Sequence, residues 1–92
     1  MLKVYDFWAE WCGPCKAMTP LIESLSSEYN VEESGVEVVK VNVDDDLSGL
    51  VKQYGVRTIP TLVFVKDGAE VDRISGNKSR QDLVELINKH TS

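Results

Sequence analysis

Hydrophobic residues recur along this chain at two different spacings, and the order of those spacings predicts alternating strands and helices. An apolar, aromatic run at residues 2–9 and a valine-rich run at residues 36–43 each predict a strand. Between them, apolar side chains recur at helical spacing over about residues 14–29. These side chains are Met18, Leu21, Ile22, Leu25 and Tyr29. Pro14 suits the first turn of this helix, whereas Pro20 lies inside it and predicts a kink.

The middle of the chain predicts a second helix that follows acidic residues. The run Asp44-Asp45-Asp46 offers an N-cap and a favourable interaction with the helix dipole. Gly55 is a natural place for the helix to stop. The apolar residues expected on this helix are Leu47, Leu50, Val51 and Tyr54.

The second half of the chain predicts a hairpin followed by a last helix. Residues 61–66 and 69–75 have the composition of strands, and Asp67-Gly68 between them predicts a tight turn. Ser79 and Asp82 have the spacing of a capping box, in which each residue bonds the backbone of the other. The helix that follows is expected to turn Leu83, Leu86 and Ile87 inward.

These elements predict an α/β fold in the order β-α-β-α-β-β-α, within one domain spanning residues 1–92. The first two strands should be parallel, with a right-handed crossover, because a helix connects them. The last two should be antiparallel. The result is a central four-stranded mixed sheet that needs helices on both faces.

Composition and charge narrow the function classes. The chain has 92 residues, 42% hydrophobic content and a formal net charge of −5, which argues against nucleic acid as the main partner. The apolar runs are too short to span a membrane, and no basic segment precedes an apolar one, so neither membrane insertion nor a secretory signal is expected. Two cysteines in a reactive motif fit a reducing compartment, and we expect a cytoplasmic protein.

The two cysteines of the chain lie three positions apart, in Trp11-Cys12-Gly13-Pro14-Cys15. They fall between the first strand and the first helix. Thiolate is the reactive form of cysteine, and a helix N-terminus favours it by offering unpaired N–H groups and a positive dipole end. The sequence therefore indicates dithiol chemistry at this junction.

Two structural interpretations of the cysteine pair compete with redox chemistry. Structural zinc needs four protein ligands, and the only other soft candidate in the sequence is His90. A zinc site would therefore have to be shared across a dimer. Alternatively, the cysteines could be inert core residues. Gly13 and Pro14 count against that, because they favour a turn and a helix start. Redox chemistry is the favoured interpretation.

The motif and the segments that follow it resemble the thioredoxin family. The resemblance is carried by residues 6–16, which contain the Trp-Cys-Gly-Pro-Cys motif, and by residues 41–44, 54–62 and 66–68. It covers nearly the whole chain. It implies a thioredoxin-like fold and a thiol–disulfide oxidoreductase that reduces protein disulfides. No metal or organic cofactor is implied, and a thioredoxin reductase-type donor would supply the electrons.

The resemblance also implies roles for individual residues. Cys12, at the exposed edge of the helix, is the expected nucleophile, and Cys15, one turn further in, is the shielded resolving thiol. The base that assists Cys15 is expected to be Asp6, an acidic residue in an otherwise apolar strand. We expect desolvation to raise the pKa of its carboxyl. Lys40 matches the family's lysine near that carboxylate.

A substrate-binding rim follows from the same resemblance. Sequence alone favours a trans Ile59–Pro60 bond, whereas the resemblance implies a cis bond that faces Cys12 and turns the backbone of Ile59 toward substrate. The residues expected to bind substrate are Trp11, Gly13, Pro14, Ile59, Pro60 and Gly76. Trp8 is assigned equally to structural support and to shaping the site.

The chain departs from the family pattern at two places. The family has a further strand and helix before the active-site strand, so residues 36–43 should form an exposed sheet edge, on a protein we expect to be a monomer. Ser75 and Asn77 flank Gly76 where many members have apolar residues, which bears on substrate preference. Two alternatives stay open: a glutaredoxin-like or oxidase-like redox role, and a binding subunit that uses the fold but not the thiols.

Overall fold

The computed structural model describes residues 1–29 and 34–91. Seven elements follow one another in the described part of the chain, in the predicted order. They are β1 (Leu2–Trp8), α1 (Gly13–Glu28), β2 (Val36–Asn42), α2 (Leu50–Gln53), β3 (Thr61–Lys66), β4 (Ala69–Ser75) and α3 (Arg80–Thr91). Within the described residues, no helix is both long enough and apolar enough to cross a membrane.

The four strands form one mixed sheet in the order β2-β1-β3-β4. β1 pairs in parallel with β2 and antiparallel with β3, and β3 and β4 form an antiparallel hairpin. Asp6 on β1 lies opposite Lys40 on β2 and opposite Leu62 on β3. The predicted mixed sheet is therefore confirmed, with β1 inside the sheet and β2 at an edge.

The sheet has helices on both faces, as predicted. On one face, Leu2 and Val4 of β1 share a buried cluster with apolar residues of the two long helices. From α1 these are Met18, Ile22 and Leu25, and from α3 they are Leu83 and Ile87. On the opposite face, Phe7 and Val63 form a second cluster, against which Leu50 and Val51 of α2 pack.

α1 is anchored at both ends by its own backbone. Cys12 occupies the N-cap with extended dihedral angles, and Tyr29 closes the helix by donating its N–H to the carbonyl of Leu25 at 2.8 Å. The helix continues through Pro20, which has no N–H to donate. In the turn that precedes this proline, Thr19 Oγ1 donates to the carbonyl of Cys15 at 3.4 Å.

The predicted start of the second helix is wrong. α2 begins at Leu50, because Gly49 takes a left-handed conformation with φ +70° and the helix cannot extend back through it. Leu47 consequently lies outside the helix and is 95% exposed. Asp46 still caps the helix from outside, since its two carboxylate oxygens accept the N–H groups of Leu50 and Val51 at 3.0 and 2.9 Å. The predicted stop at Gly55 agrees with its φ of +61°.

The capping box before α3 is confirmed. Ser79 Oγ accepts the N–H of Asp82 at 3.2 Å, and the Asp82 carboxylate accepts the N–H of Ser79 at 3.4 Å. Leu83 and Ile87 are buried and Leu86 is half-buried, so the predicted inward face is also correct. This face covers the same sheet surface as α1.

We predict that Asp46→Ala lowers the free energy of unfolding by about 1 kcal/mol, the usual cost of losing a cap. The short α2 depends on this carboxylate because Gly49 supplies no side chain to bond its N–H groups. Denaturant unfolding measures the loss. The matched control is Asp45→Ala, which removes the same charge at an exposed neighbour. Equal losses in the two variants would mean that Asp46 acts only through its charge.

Candidate active site

The two cysteines lie where the chain leaves β1 and enters α1. A tight turn makes this transition, with the N–H of Cys12 donating to the carbonyl of Ala9 at 3.1 Å. Cys12 is the N-cap of α1, and Cys15 is on the buried side of its first turn. The two residues form a disulfide, with their Cα atoms 5.3 Å apart.

The sulfur of Cys12 accepts a hydrogen bond from the helix itself. The N–H of Cys15 points at Cys12 Sγ from 3.2 Å, and the N–H of Lys16 bonds the Cys12 carbonyl at 3.1 Å. A side-chain atom at an N-cap receives N–H groups that no helical carbonyl can satisfy. Because the N–H of Cys15 and the helix dipole stabilise negative charge, a thiolate is favoured at the Cys12 sulfur once the disulfide is reduced.

The predicted difference in exposure between the two cysteines is wrong for this disulfide-bonded state. Cys12 is 5% exposed and Cys15 is 4% exposed. Both belong to a small buried cluster with Ala9, against which Val43 and Ile59 pack. The disulfide holds the Cys12 side chain against its partner and these neighbours, which is why it is covered here. What distinguishes the two sulfurs is therefore the helix N–H, not their accessibility.

Asp6 is buried on the face of β1 that α1 covers. It lies on the same face of the strand as Leu2 and Val4, at every second position, and only 5% of it is exposed. Cys15 belongs to the buried stripe of α1 that packs on the same face. Burial raises the pKa of the Asp6 carboxyl from 3.8 to about 6, and the nearby Lys40 ammonium opposes part of this rise. The predicted burial and the predicted direction of the shift are both confirmed.

Lys40 is the cross-strand neighbour of Asp6, but its ammonium group lies over an aromatic ring. Lys40 Nζ is 4.7 Å from the centroid of the Trp8 indole, a cation–π distance. Trp8 is half-buried and packs against the cysteine cluster. Trp8 therefore contacts both the cysteine cluster and the side chain paired across the strands with Asp6, and its expected roles in support and in shaping the site stay predictions.

The second half of the chain brings its predicted residues to the same place. The Ile59–Pro60 bond is cis, as the resemblance implies. Ile59 packs against the cysteine cluster, and Pro60 is buried beside it. Gly76 donates its N–H to the Pro60 carbonyl at 2.9 Å. Its backbone φ of +84° is one that residues other than glycine rarely adopt.

Trp11, Gly13 and Pro14 form the exposed surface next to the disulfide. Trp11 is 68% exposed, yet its indole is fixed, because Nε1 donates to Asp44 Oδ2 at 2.8 Å. Gly13 and Pro14 are exposed residues of the first helical turn, and the space beside Gly13 is open. The residues that the resemblance assigns to a substrate-binding rim therefore lie in one region around the cysteines, and their binding of substrate stays a prediction.

A groove that the sequence analysis did not assign lies beside this rim. It has a volume of about 210 Å³ and lies next to Trp11. Its lining residues are Trp11, Val43, Val51, Val56, Arg57 and Ile59. We call it the Arg57 groove, after its one charged lining residue. Because the lining comes from four separate segments, no spacing in the sequence indicates it. The available signals were that all its lining residues except Val51 fall in segments that resemble the family, and that Trp11 and Ile59 were already expected at the rim.

The raised pKa of the buried Asp6 carboxyl can be tested by measuring the free energy of unfolding at several pH values. We predict that the oxidised protein loses up to about 3 kcal/mol of unfolding free energy through Asp6 as the pH rises from about 4 to 6. Below this window, Asp6 is protonated in both the folded and the unfolded state, so the free energy of unfolding does not change with pH through this group. Within it, the unfolded chain releases the proton first, because the folded pKa is raised to about 6. The native state therefore binds more protons, and its stability falls until both states are ionised.

Asp6→Asn should remove this part of the pH dependence, because asparagine does not titrate. Denaturant titrations of both oxidised proteins at several pH values give the difference, in which the contributions of other groups cancel. The control variant is Lys40→Gln, which removes the opposing ammonium and should shift the window to higher pH. Parallel profiles for the parent protein and Asp6→Asn would refute the raised pKa.

Comparison with known proteins agrees with this architecture. A thioredoxin family model matches residues 2–89. A thioredoxin of Chlamydia caviae is 51% identical over 90 residues, covering 98% of this chain and 83% of that protein. Among solved structures, a thioredoxin from Nicotiana alata has a TM-score of 0.85 at 42% identity, covering 99% of this chain and 74% of the other. A Fasciola hepatica thioredoxin has a TM-score of 0.82 at 45% identity, covering 97% and 80%.

The two TM-scores show that the fold described above is that of solved thioredoxins over nearly the whole chain. The chain belongs to the thioredoxin family.

Proposed function

We propose that this protein is a thiol–disulfide oxidoreductase that reduces protein disulfides by cycling Cys12 and Cys15 between dithiol and disulfide. The observation that carries the proposal is the position of Cys12. Its sulfur lies at the N-cap of α1, accepts the N–H of Cys15 at 3.2 Å and is bonded to the Cys15 sulfur. After reduction, the helix N–H therefore favours a thiolate at Cys12, and Cys15 is placed to form the disulfide with it again.

In the first step, the Cys12 thiolate attacks one sulfur of a substrate disulfide. A bond forms between Cys12 Sγ and that sulfur, the substrate S–S bond breaks, and the other substrate sulfur leaves as a thiolate that solvent protonates. Cys12 is the attacking group because the helix N–H stabilises its negative charge. The product of this step is a mixed disulfide between Cys12 and the substrate.

In the second step, Cys15 resolves the mixed disulfide. Its thiolate attacks Cys12 Sγ, the intramolecular disulfide forms, and the second substrate sulfur leaves as a thiolate. Two electrons have then passed from the protein to the substrate. Asp6 takes the proton from the Cys15 thiol, because a carboxyl with a pKa of about 6 is partly ionised near neutral pH and can accept one.

Lys40 and the rim residues support these steps without reacting. Lys40 holds down the pKa of the Asp6 carboxyl, which keeps part of the base ionised. Around Cys12, the exposed Trp11 and the half-buried Ile59 offer apolar surface to a substrate segment. The rim also includes Gly13, Pro14, Pro60 and Gly76. These residues are proposed to position the disulfide for in-line attack.

The partners follow from the chemistry. Protein disulfides are the substrates, and a reductase of the thioredoxin reductase type returns two electrons to the Cys12–Cys15 disulfide. The cycle needs no metal or organic cofactor. The net charge of −5 is unsuited to nucleic acid. Two cysteines in a reactive motif support a cytoplasmic location, since a reducing compartment keeps the dithiol available. We also propose that residues 1–92 act as one domain and as a monomer.

Cysteine variants test the assignment of the two thiols. We predict that Cys15→Ser, mixed with a disulfide-bonded protein such as insulin, accumulates a mixed disulfide on Cys12, because the resolving thiol is missing. Cys12→Ser should form little adduct, and both variants should lose turnover in an insulin-reduction assay. Mass spectrometry of the unreduced protein measures the adduct. In the reduced parent protein, brief iodoacetamide treatment near neutral pH should label Cys12 alone.

Equal adduct formation by the two variants, or equal alkylation of both thiols, would overturn these roles. Replacing both cysteines by serine distinguishes a redox role from a binding role, since only binding survives the loss of both thiols. The reduction potential of the parent protein, measured against glutathione, separates a reductase from an oxidase-like protein.

The proposed monomeric state can be tested with variants on the edge strand of the sheet. β2 is an outer strand with half-buried Val38 and Val39, and it carries the exposed Lys40 and the partly exposed Glu37, which oppose strand pairing. We predict that the parent protein sediments as a monomer over a concentration series, whereas Lys40→Val self-associates. Lys52→Val, an exposed lysine of α2, is the control. A parent protein that associates would refute the monomer, and a monomeric Lys40→Val would show that Lys40 does not protect the edge.

A further inference from the structure

The Arg57 groove adjoins the buried cluster that contains the disulfide. Two of its lining residues, Val43 and Ile59, also pack against the cluster that contains Cys12 and Cys15. A third, Trp11, precedes Cys12 in the chain. A substrate cysteine bonded to Cys12 would therefore place a neighbouring residue of its own segment over this groove.

The groove is apolar with a single charged group. Four of its six lining residues are aliphatic, and Arg57 is an exposed cation among them. The other arginines of the chain are engaged in ion pairs: Arg73 binds Glu70, and Arg80 binds Glu28. In the described residues, Arg57 forms no ion pair or side-chain hydrogen bond. Its guanidinium is thus available to a carboxylate from another molecule.

The backbone that presents Arg57 is held in place on both sides. Before it, the N–H of Val56 donates to the carbonyl of Val51 at 2.9 Å, and the Arg73 guanidinium donates to the carbonyl of Tyr54. After it, Thr61 Oγ1 donates to the carbonyl of Thr58 at 2.6 Å. A fixed backbone lowers the entropic cost of ordering Arg57 against a ligand.

Trp11, on another side of the groove, is fixed by an acidic residue. Asp44 accepts the Trp11 indole N–H, and Asn42 Oδ1 in turn accepts the N–H of Asp44 at 2.9 Å. Trp11 is thereby held as a wall despite its exposure. The Arg57 guanidinium thus lines the groove, whereas the Asp44 carboxylate binds Trp11 and does not line it. This arrangement distinguishes acidic from basic side chains entering at Arg57, even though the chain as a whole is acidic.

We propose that the Arg57 groove selects protein disulfides whose cysteine is flanked by an apolar residue and an acidic residue. The apolar side chain packs on Val43, Val51, Val56 and Ile59, and the carboxylate pairs with Arg57. The inference deepens the proposed function, on which it rests, by naming the class of segment preferred near the reacting sulfur. It assigns Arg57 as a specificity-determining residue that takes no part in the thiol chemistry.

The test uses short peptides whose single cysteine is in mixed disulfide with 2-mercaptoethanol and is followed by leucine. Glutamate, glutamine or lysine is placed in turn at each nearby position on both sides. We expect kcat/KM for the best glutamate peptide to exceed that of its glutamine counterpart by about three-fold, as for an exposed ion pair. The lysine peptide should be the slowest, and the preference should shrink as salt is added.

Charge reversal makes the test specific. Arg57→Glu should invert the order of the peptides, so that lysine becomes the best. The matched control is Lys52→Glu, which makes the same charge change at an exposed residue of α2 outside the groove and should leave the order unchanged. If both variants alter the order equally, only net charge matters and the inference fails. It also fails if the parent protein reduces all peptides at one rate.

Reduction of hydroxyethyl disulfide, which has no side chains to recognise, separates this inference from the proposed function. The parent protein and Lys52→Glu should reduce it equally, because the dithiol is intact in both. A parent protein that reduces neither hydroxyethyl disulfide nor insulin would overturn the proposed function, and the inference with it. Normal reduction with no peptide preference would overturn the inference alone.

Discussion

The junction between β1 and α1 is the constraint on which the rest of the molecule depends. The chain must leave a buried strand at Trp8 and begin a helix at Gly13, with the Cys12 sulfur at the N-cap. A helix N-terminus facing solvent has N–H groups without partners, and here one of them meets the sulfur. β1 fixes the junction because it is paired on both sides, and the buried stripe of α1 fixes the direction in which the helix leaves.

The register between β1 and β3 brings the two halves of the site together. Phe7 lies opposite Thr61 in these antiparallel strands. Pro60, just before Thr61, therefore lies at the same end of the sheet as Trp8 and the cysteines that come after it. Pro60 is held there from β4, because Gly76 bonds its carbonyl. A slip of one residue would move Tyr5 and Phe7 together to the face that α1 covers, and would move Asp6 to the opposite face. Core packing and site assembly therefore require the same register.

Regular elements were predictable from sequence wherever a local signal decided them. The helical spacing of Met18 and Ile22 and the Ser79–Asp82 box each specify structure within a few residues. The start of α2 was not predictable, because the left-handed conformation of Gly49 overrode the acidic run. Nor were the contacts between Trp11 and Asp44 and between Trp8 and Lys40, since only the folded sheet brings these pairs together. The cis bond was expected through family resemblance alone.

The buried carboxylate shows how the fold accommodates chemistry at a cost to stability. Desolvation dominates the electrostatics of Asp6, and the ammonium of Lys40 offsets only part of it. A closer ion pair would stabilise the ionised form further and lower the proton affinity that a base near neutral pH needs. Trp8 holds Lys40 Nζ over its ring, where the charge still acts on Asp6 through space. The cation–π contact therefore limits the offset, and the carboxyl keeps a pKa of about 6, suitable for exchanging protons with a thiol.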